Sequence, residues 1–244
     1  MIHFKNVTKS FKTIKALNNI SFKIKRNEFV GIIGNNGSGK TTIINTLCNL
    51  IPLDMGEVYF DDKKISHKSH LYKKKVGVIL SEHYSIEEFS TIEYLHFFAK
   101  FQNIDDKELV KRIKEITNLI GIDNINIPIE KLSSGNKMKV SIVTSLIHNP
   151  EVLIYDEPFV NLDFNTSNKL KDIILSLKGR KTLLITSHHL DLVIDICDRF
   201  LILDKGEIVE TIRKSDFDSK EKIKQLFKDK MIDDKYKNQL KWLN

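Results

Sequence analysis

A glycine-rich segment that follows an apolar run constrains the fold of this chain more than any other part of its sequence. The segment begins at Gly34, after the apolar residues 29–33, and ends at Lys40 and Thr41, where a helix is predicted. It fits the pattern G-x-x-x-x-G-K-S/T, which requires a strand before it and a helix after it. The sequence therefore predicts a buried strand, a phosphate-binding loop and a helix, in that order.

The residue types of this loop suit the phosphates of a nucleotide. Glycines let consecutive backbone N–H groups converge on phosphate oxygens, and the N-terminal end of the helix dipole favours negative charge. Lys40 is expected to neutralise the β- and γ-phosphates, and the Thr41 hydroxyl to ligate Mg²⁺. The candidate nucleotide-binding residues of the loop are Gly34, Asn35, Asn36, Gly37, Ser38, Gly39, Lys40, Thr41 and Thr42.

Short apolar runs separated by helical stretches predict the α/β class. Three runs typical of buried strands in a parallel sheet lie at 76–80, 152–155 and 183–186. Alternating apolar and polar residues at 20–24 predict a half-buried strand. Near the C-terminus, residues 199–211 predict a hairpin with its turn at 204–206, and a last helix is predicted from about Lys220.

Residues from about 82 to 150 follow a helical pattern only, which predicts a helical insertion. The signals for helix ends are Ser90 with Glu93, Asp105 with Glu108, Gly121 and Pro150. Four aromatic residues lie at helical spacing within the insertion, namely Tyr94, Phe97, Phe98 and Phe101. We interpret them as helix core, with a binding groove as the alternative.

Two adjacent carboxylates, Asp156 and Glu157, follow the predicted strand 152–155. Open α/β sheets bind ligands at the C-terminal ends of their strands. Asp156 is expected to hold the water shell of a metal ion, and Glu157 to act as the general base that polarises an attacking water. Alone, the pair would be interpreted as solvated surface; with the phosphate-binding loop, it predicts ATP or GTP hydrolysis.

The segment between these motifs identifies a family. Leu132-Ser133-Ser134-Gly135-Asn136 begins a predicted helix and resembles the signature L-S-G-G-Q of the ATP-binding cassette (ABC) proteins. By itself this segment would be an ordinary helix N-cap. Together with the other motifs in this order, the segment is typical of the ABC family. The resemblance covers roughly residues 1–211.

The resemblance implies roles for further residues. Phe11 matches the aromatic residue that stacks on adenine, with a core position as the alternative. His188 resembles the switch histidine that contacts the γ-phosphate, and Asp163 the D-loop aspartate at the interface with a second nucleotide-binding domain. Family domains dimerise head to tail, so each ATP is expected to lie between the loop of one copy and Ser133, Ser134 and Gly135 of the other.

The sequence departs from the family pattern at two places. Ser81 stands where the family has a glutamine that touches Mg²⁺ and the attacking water; its hydroxyl can still ligate the metal, but it is shorter and has no amide. Glu82 is a less favoured substitute. In the signature, Ser134 replaces a glycine and Asn136 a glutamine. We expect a working but slow site.

The resemblance implies a P-loop NTPase fold of the RecA-like kind, with a parallel sheet core, an N-terminal antiparallel β portion and an inserted all-helical subdomain. The whole chain, 1–244, is expected to be one ABC ATPase domain. Its expected parts are a core lobe at 1–81 and 150–211, a helical subdomain at about 82–149 and a C-terminal helical tail at 212–244.

The implied function is that of the ATP-binding and ATP-hydrolysing subunit of a membrane transporter, with export favoured and with ATP and Mg²⁺ as cofactors. Its expected partners are a separately encoded transmembrane permease subunit and a second nucleotide-binding domain, a homodimer being favoured and a heterodimer the alternative. The cleft near residues 81–89 would receive a short cytoplasmic helix of the permease. Soluble non-transport ABC ATPases and a nucleotide-gated regulatory subunit with weak hydrolysis are the alternatives.

Composition limits the other classes of function. The formal charge is +7, but the lysines are spread along the chain, so no nucleic acid partner is expected. Cys48 and Cys197 predict neither a disulfide framework nor a zinc site. No signal peptide is recognised, and no stretch approaches the roughly 18 apolar residues that span a bilayer. We expect a cytoplasmic protein, peripheral on the inner face of the cell membrane.

Overall fold

The computed structural model describes residues 1–66, 71–81, 85–122 and 124–231. Glu82, the possible substitute for Ser81, lies outside these residues, as do the end of the predicted tail from 232 onwards and parts of the predicted cleft at 82–84. Within the described residues, none of the helices is both long and apolar enough to span a bilayer.

The described residues form ten strands and seven α-helices. The strands are β1 (Ile2–Phe11), β2 (Ile14–Ile24), β3 (Phe29–Ile33), β4 (Met55–Phe60), β5 (Lys63–Lys64), β6 (Val76–Ile79), β7 (Val152–Asp156), β8 (Thr182–Thr186), β9 (Arg199–Asp204) and β10 (Glu207–Arg213). The helices are α1 (Lys40–Leu47), α2 (Thr91–Gln102), α3 (Asp106–Ile120), α4 (Ser134–Ile147), α5 (Phe164–Ser176), α6 (Leu190–Ile196) and α7 (Lys220–Met231).

The central sheet has the strand order β10-β9-β3-β8-β7-β6. All neighbours in it pair in parallel except β9 and β10, which form the antiparallel hairpin predicted near the C-terminus. Every residue of β3, β7 and β8 is buried, as the continuous apolar runs predicted. The α/β class with a parallel sheet is therefore confirmed.

A second sheet, antiparallel and ordered β2-β1-β4-β5, is formed by the N-terminal part of the chain. The alternation at 20–24 gives β2 a buried face, on which Phe22 stacks against Phe4 of β1 with ring centroids 4.5 Å apart. Helix α1 packs between the sheets, where Ile43, Ile44 and Leu47 join strands of both sheets in one apolar cluster. This packing places the start of α1 next to the end of β3.

Helices α2, α3 and α4 lie between β6 and β7 in the sequence, as the helical pattern predicted. Ser90 and Glu93 form a reciprocal capping box at the start of α2. Asp105 caps α3, which ends at Gly121 in the left-handed conformation. Helix α4 ends at Ile147, three residues before the helix-breaking Pro150.

The aromatic residues of α2 divide into two pairs. Tyr94 and Phe98 pack partly buried against the core cluster. Phe97 and Phe101 are 39% and 62% exposed, with their rings 4.9 Å apart in an edge arrangement. The prediction of helix core is correct for the first pair and wrong for the second, because the aromatic stripe is wider than the face that α2 buries.

Candidate nucleotide site

The glycine-rich loop connects β3 to α1, and its backbone requires glycine at defined points. Gly39, the residue before α1, has φ 110°, and a Cβ there would lie 2.4 Å from the carbonyl oxygen of Ala16. A Cβ on Gly34 would lie 2.3 Å from the carbonyl oxygen of Leu203. Both approaches are too close for any side chain, so the loop is held in its shape by packing against β2 and β9.

Lys40 lies inside the curve of this loop. Its Nζ donates hydrogen bonds to the carbonyl oxygens of Gly34, at 2.8 Å, and Asn35, at 3.2 Å, and the residue is only 7% exposed. Burial lowers the pKa of Lys40, while the carboxylates of Glu157 and Asp156 act in the opposite direction. The ammonium group is thus held at the loop, where it can bind a phosphate.

Asp156, the last residue of β7, is fully buried. Its Oδ1 accepts a hydrogen bond of 2.5 Å from the Thr186 hydroxyl of β8, while its Oδ2 has no hydrogen-bond partner among the described residues. A buried carboxylate oxygen without a partner costs about 1–3 kcal/mol or more, because it has lost its hydration. A ligand for this oxygen would remove that cost.

Magnesium fits this site. Mg²⁺ is usually held by one or two carboxylates together with substrate phosphates and water, not by a cage made only of protein. No group of three or more His, Cys, Asp or Glu side chains able to hold a metal occurs in the described parts of the chain. Asp156 and the exposed Thr41 at the start of α1 would hold the ion.

Glu157 follows β7 and is held by the end of β8. Its backbone N–H donates to the carbonyl oxygen and to the hydroxyl of Thr186, both at 3.1 Å. Its Oε2 accepts a 3.1 Å hydrogen bond from the backbone N–H of His188 and lies 2.8 Å from His188 Nδ1. The structure therefore brings together the two residues predicted to be catalytic, and a carboxylate so oriented can take a proton from water.

One cavity of about 550 Å³ is lined by part of the predicted site. The predicted residues that line it are Gly34, Asn35, Asn36, Ser81, Glu157 and His188. Residues without a predicted role also line it, namely Met138, Val160, Asn161 and Leu190. Its volume is in the range of small-molecule sites. Apolar residues such as Met138 carry no chemical signal in the sequence, so sequence analysis missed them.

Ser133, Ser134, Gly135 and Asp163 do not line this cavity. Ser133 and Ser134 are exposed at the start of α4, where the Ser133 hydroxyl accepts a 3.3 Å hydrogen bond from Asn136 N–H. Asp163 caps α5 through its contacts with Thr166. Within one chain, Ser133 and Asp163 serve as helix N-caps and do not line the cavity.

Phe11 also lies apart from the cavity, at the end of β1, where it pairs with Ile14 across the hairpin. The residue is 48% exposed, so the alternative that it belongs to the core is wrong. Ile14 belongs to β2, and this strand also carries Ala16, whose carbonyl oxygen lies close to Gly39 of the phosphate-binding loop. The hairpin that carries Phe11 is therefore packed next to the loop.

The family model for ABC transporters matches residues 17–160 of this chain. An uncharacterized ABC transporter ATP-binding protein of Methanocaldococcus jannaschii is 35% identical over 85% of this chain and 76% of the relative. The linearmycin resistance ATP-binding protein LnrL of Bacillus subtilis is 31% identical over 90% of this chain and 71% of LnrL.

A solved structure of similar fold is a dimeric ATP-binding cassette in a post-hydrolysis state, bound to ADP and phosphate. It matches with a TM-score of 0.81 and 27% identity, over 88% of this chain and 99% of that chain. An ABC transporter cassette solved without nucleotide matches with a TM-score of 0.72 and 26% identity, over 92% of this chain and 94% of that chain.

Proposed function

This chain belongs to the ABC transporter family, among its ATP-binding subunits, and from that premise we propose that it hydrolyses Mg-ATP to drive transport through a separate transmembrane subunit. The observation that carries the proposal is the arrangement at the ends of β3, β7 and β8. There the buried Lys40 lies in the loop, Asp156 keeps an oxygen with no hydrogen-bond partner in the described part of the chain, and Glu157 is oriented by His188.

The proposed chemistry follows from these side chains. Lys40 exchanges its bonds to the loop carbonyls for bonds to the β- and γ-phosphates, and the loop N–H groups bind the remaining oxygens. Mg²⁺, held by Asp156 and Thr41, would supply positive charge that offsets the negative charge of the phosphates. Glu157 accepts the proton of the attacking water, and His188 orients the Glu157 carboxylate. The oxygen of that water then bonds to the γ-phosphorus in line, while the bond from this phosphorus to the bridging oxygen of ADP breaks, so that ADP and inorganic phosphate are formed.

Ser81 is proposed as a short substitute for the family's glutamine. It lines the same cavity as Glu157 and His188, which supports a contact with the metal or with a water molecule. A hydroxyl reaches less far than a glutamine amide and lacks its N–H donors, so hydrolysis is expected to be slow. A nucleotide-gated regulatory subunit with weak hydrolysis is therefore the second candidate function.

We further propose that Ser133, Ser134, Gly135 and Asp163 act on a second nucleotide-binding domain. In one chain they lie outside the cavity, and both serines are exposed at the N-terminus of α4, where backbone N–H groups and the helix dipole favour a phosphate. The likeness to a dimeric cassette supports a homodimer. An unlike partner is the alternative, since Ser134 and Asn136 alter the signature.

The cleft proposed for the permease helix is supported by a second cavity, of about 340 Å³, between the helices and the central sheet. Its lining includes Tyr94 and Phe98 of α2, Val140 and Thr144 of α4, and Val76 and Val78 of β6. We place the boundary between the core lobe (1–81 and 150–211) and the helical subdomain (82–149) along this cleft, and the tail at 212–244. The chain would then work in the cytoplasm, at the inner face of the membrane.

The direction of transport is proposed as export. The support is the likeness to LnrL, a protein named for linearmycin resistance. The methionine import protein MetN 1 of Listeria monocytogenes, 28% identical over 86% of this chain and 65% of that protein, represents the alternative.

The test compares the native chain with Glu157→Gln for ATP hydrolysis and for association by light scattering. Glu115→Gln, the same chemical change at an exposed position of α3, is the matched control. We expect turnover in the native chain and the control, none in Glu157→Gln, and an ATP-dependent dimer of Glu157→Gln. ATP binding without turnover in any sample would favour the regulatory subunit, and the absence of ATP binding would refute both functions.

A further inference from the structure

A buried lysine lies against the ring of Phe11, which the family resemblance implies would stack on the base of the nucleotide. The Lys9 Nζ is 5.4 Å from the centroid of the Phe11 ring, within the range of a cation–π interaction. Lys9 is 8% exposed, whereas Phe11 is 48% exposed. The ammonium group therefore occupies the inner side of the ring, and the outer side stays open to solvent.

Asp54 fixes the ammonium group of Lys9. Its Oδ1 accepts a 2.9 Å hydrogen bond from Lys9 Nζ, and its Oδ2 accepts a 2.6 Å hydrogen bond from the backbone N–H of Ser10. Its own N–H donates to the carbonyl oxygen of Thr8 at 3.1 Å. Asp54 thus forms hydrogen bonds to the strand on both sides of Lys9, two residues before Phe11, the last residue of β1.

We propose that Lys9 and Asp54 are positioning residues that hold the Phe11 ring in the orientation needed to stack on the purine base of the nucleotide. An exposed phenylalanine at a hairpin end would otherwise sample several rotamers, and a bound base would have to select one of them. A cation held against one face favours a single ring position and draws π-electron density away from the opposite face. The inference rests on the proposed function, because it assumes that a nucleotide is bound.

The test measures the contribution of the base to binding separately from that of the phosphates. Binding of ATP and of inorganic tripolyphosphate is measured for the native chain, Lys9→Met, Lys9→Arg and Phe11→Ala, with Lys5→Met as the matched control for loss of a lysine on the same strand. We expect Lys9→Met to raise the Kd for ATP about two- to fivefold, with the Kd for tripolyphosphate and turnover at saturating ATP unchanged. Lys9→Arg, which keeps the charge, should restore the native Kd.

A double variant decides whether Lys9 acts through the ring. Phe11→Ala is expected to weaken ATP binding about 5- to 150-fold, and adding Lys9→Met to it should not change the Kd for ATP further. The inference is overturned if Lys9→Met weakens tripolyphosphate binding equally, if it leaves ATP binding unchanged or tightens it, or if its effect persists without Phe11. In those cases a native chain that still binds and hydrolyses ATP retains the proposed function; a native chain that binds no ATP refutes both.

Discussion

The buried contact between Tyr155 and Ser145 allows an asymmetry in stability to be predicted. Tyr155, on β7, is fully buried, and its hydroxyl lies 2.9 Å from the Ser145 Oγ on α4. The Ser145 hydroxyl donates to the carbonyl oxygen of Ile142 at 2.8 Å, so the phenol is the donor in the pair. Burial raises the pKa of Tyr155, so the phenol keeps its proton at neutral pH.

The two single substitutions should therefore differ in how much they destabilise the protein. Ser145→Ala leaves the Tyr155 hydroxyl buried without its acceptor, which costs about 1–3 kcal/mol. Tyr155→Phe removes the donor and leaves Ser145 bonded to Ile142, at a cost of about 0.5–1.5 kcal/mol. Ser145→Ala should thus be the less stable variant, and the double variant should be close to Tyr155→Phe because it contains no orphaned phenol.

Urea unfolding of the native chain and the three variants measures these differences. For a chain of this size, 1 kcal/mol corresponds to about 2–4 °C in Tm, so thermal unfolding is a second readout. The reasoning is refuted if Tyr155→Phe is as destabilised as Ser145→Ala, or if the double variant loses the sum of the two single losses.

Three further predictions concern packing, pH and binding. Gly77→Ala should lower the free energy of unfolding, measured in urea, by about 3 kcal/mol or more, because a Cβ there would lie 2.0 Å from a carbonyl oxygen of α4. Gly179→Ala should lower it by only about 1–2 kcal/mol, because a Cβ there has open space and only the φ of 76° is unfavourable. Burial opposes ionisation of Glu28, but the hydrogen bonds from Arg199 and a backbone N–H outweigh it and keep its pKa below the usual 4.5. Glu28→Gln should therefore reduce stability at pH 7, and the difference from the native chain should shrink as the pH falls below 4.5; a constant difference would contradict this. Burial lowers the pKa of Lys40 below 10.5, and phosphate binding needs the positive charge of this side chain. The affinity for ATP, measured by calorimetry, should therefore fall as the pH rises towards 10.5. If the affinity stayed the same over that range, this would show that Lys40 does not bind the phosphates in its charged form.

The sequence predicted those parts of the fold and candidate site that depend on backbone chemistry. Gly34 to Lys40 could be recognised because the backbone conformation and the phosphate chemistry of such a loop leave few choices of residue. The buried strand before Asp156 could be recognised because it is continuously apolar.

Contacts between distant segments could not be predicted. The pairing of Lys9 with Asp54 joins residues far apart in the chain, and neither residue has a pattern that specifies the other. The exposure of Phe97 and Phe101 depends on how far the neighbouring helices cover α2. Periodicity identifies a stripe of side chains along a helix, but only packing decides how much of the stripe is buried.

The backbone conformation of Glu157 lowers stability at a residue whose carboxylate the proposed chemistry needs. Its φ of 51° lies in the left-handed region, where a residue with a Cβ is about 1–2 kcal/mol less favourable than glycine. An engineer who selected this chain for heat resistance alone would be led towards glycine at this position, and would remove the carboxylate beside His188. A thermostable version that keeps its chemistry would have to gain its stability elsewhere and leave this strained residue in place.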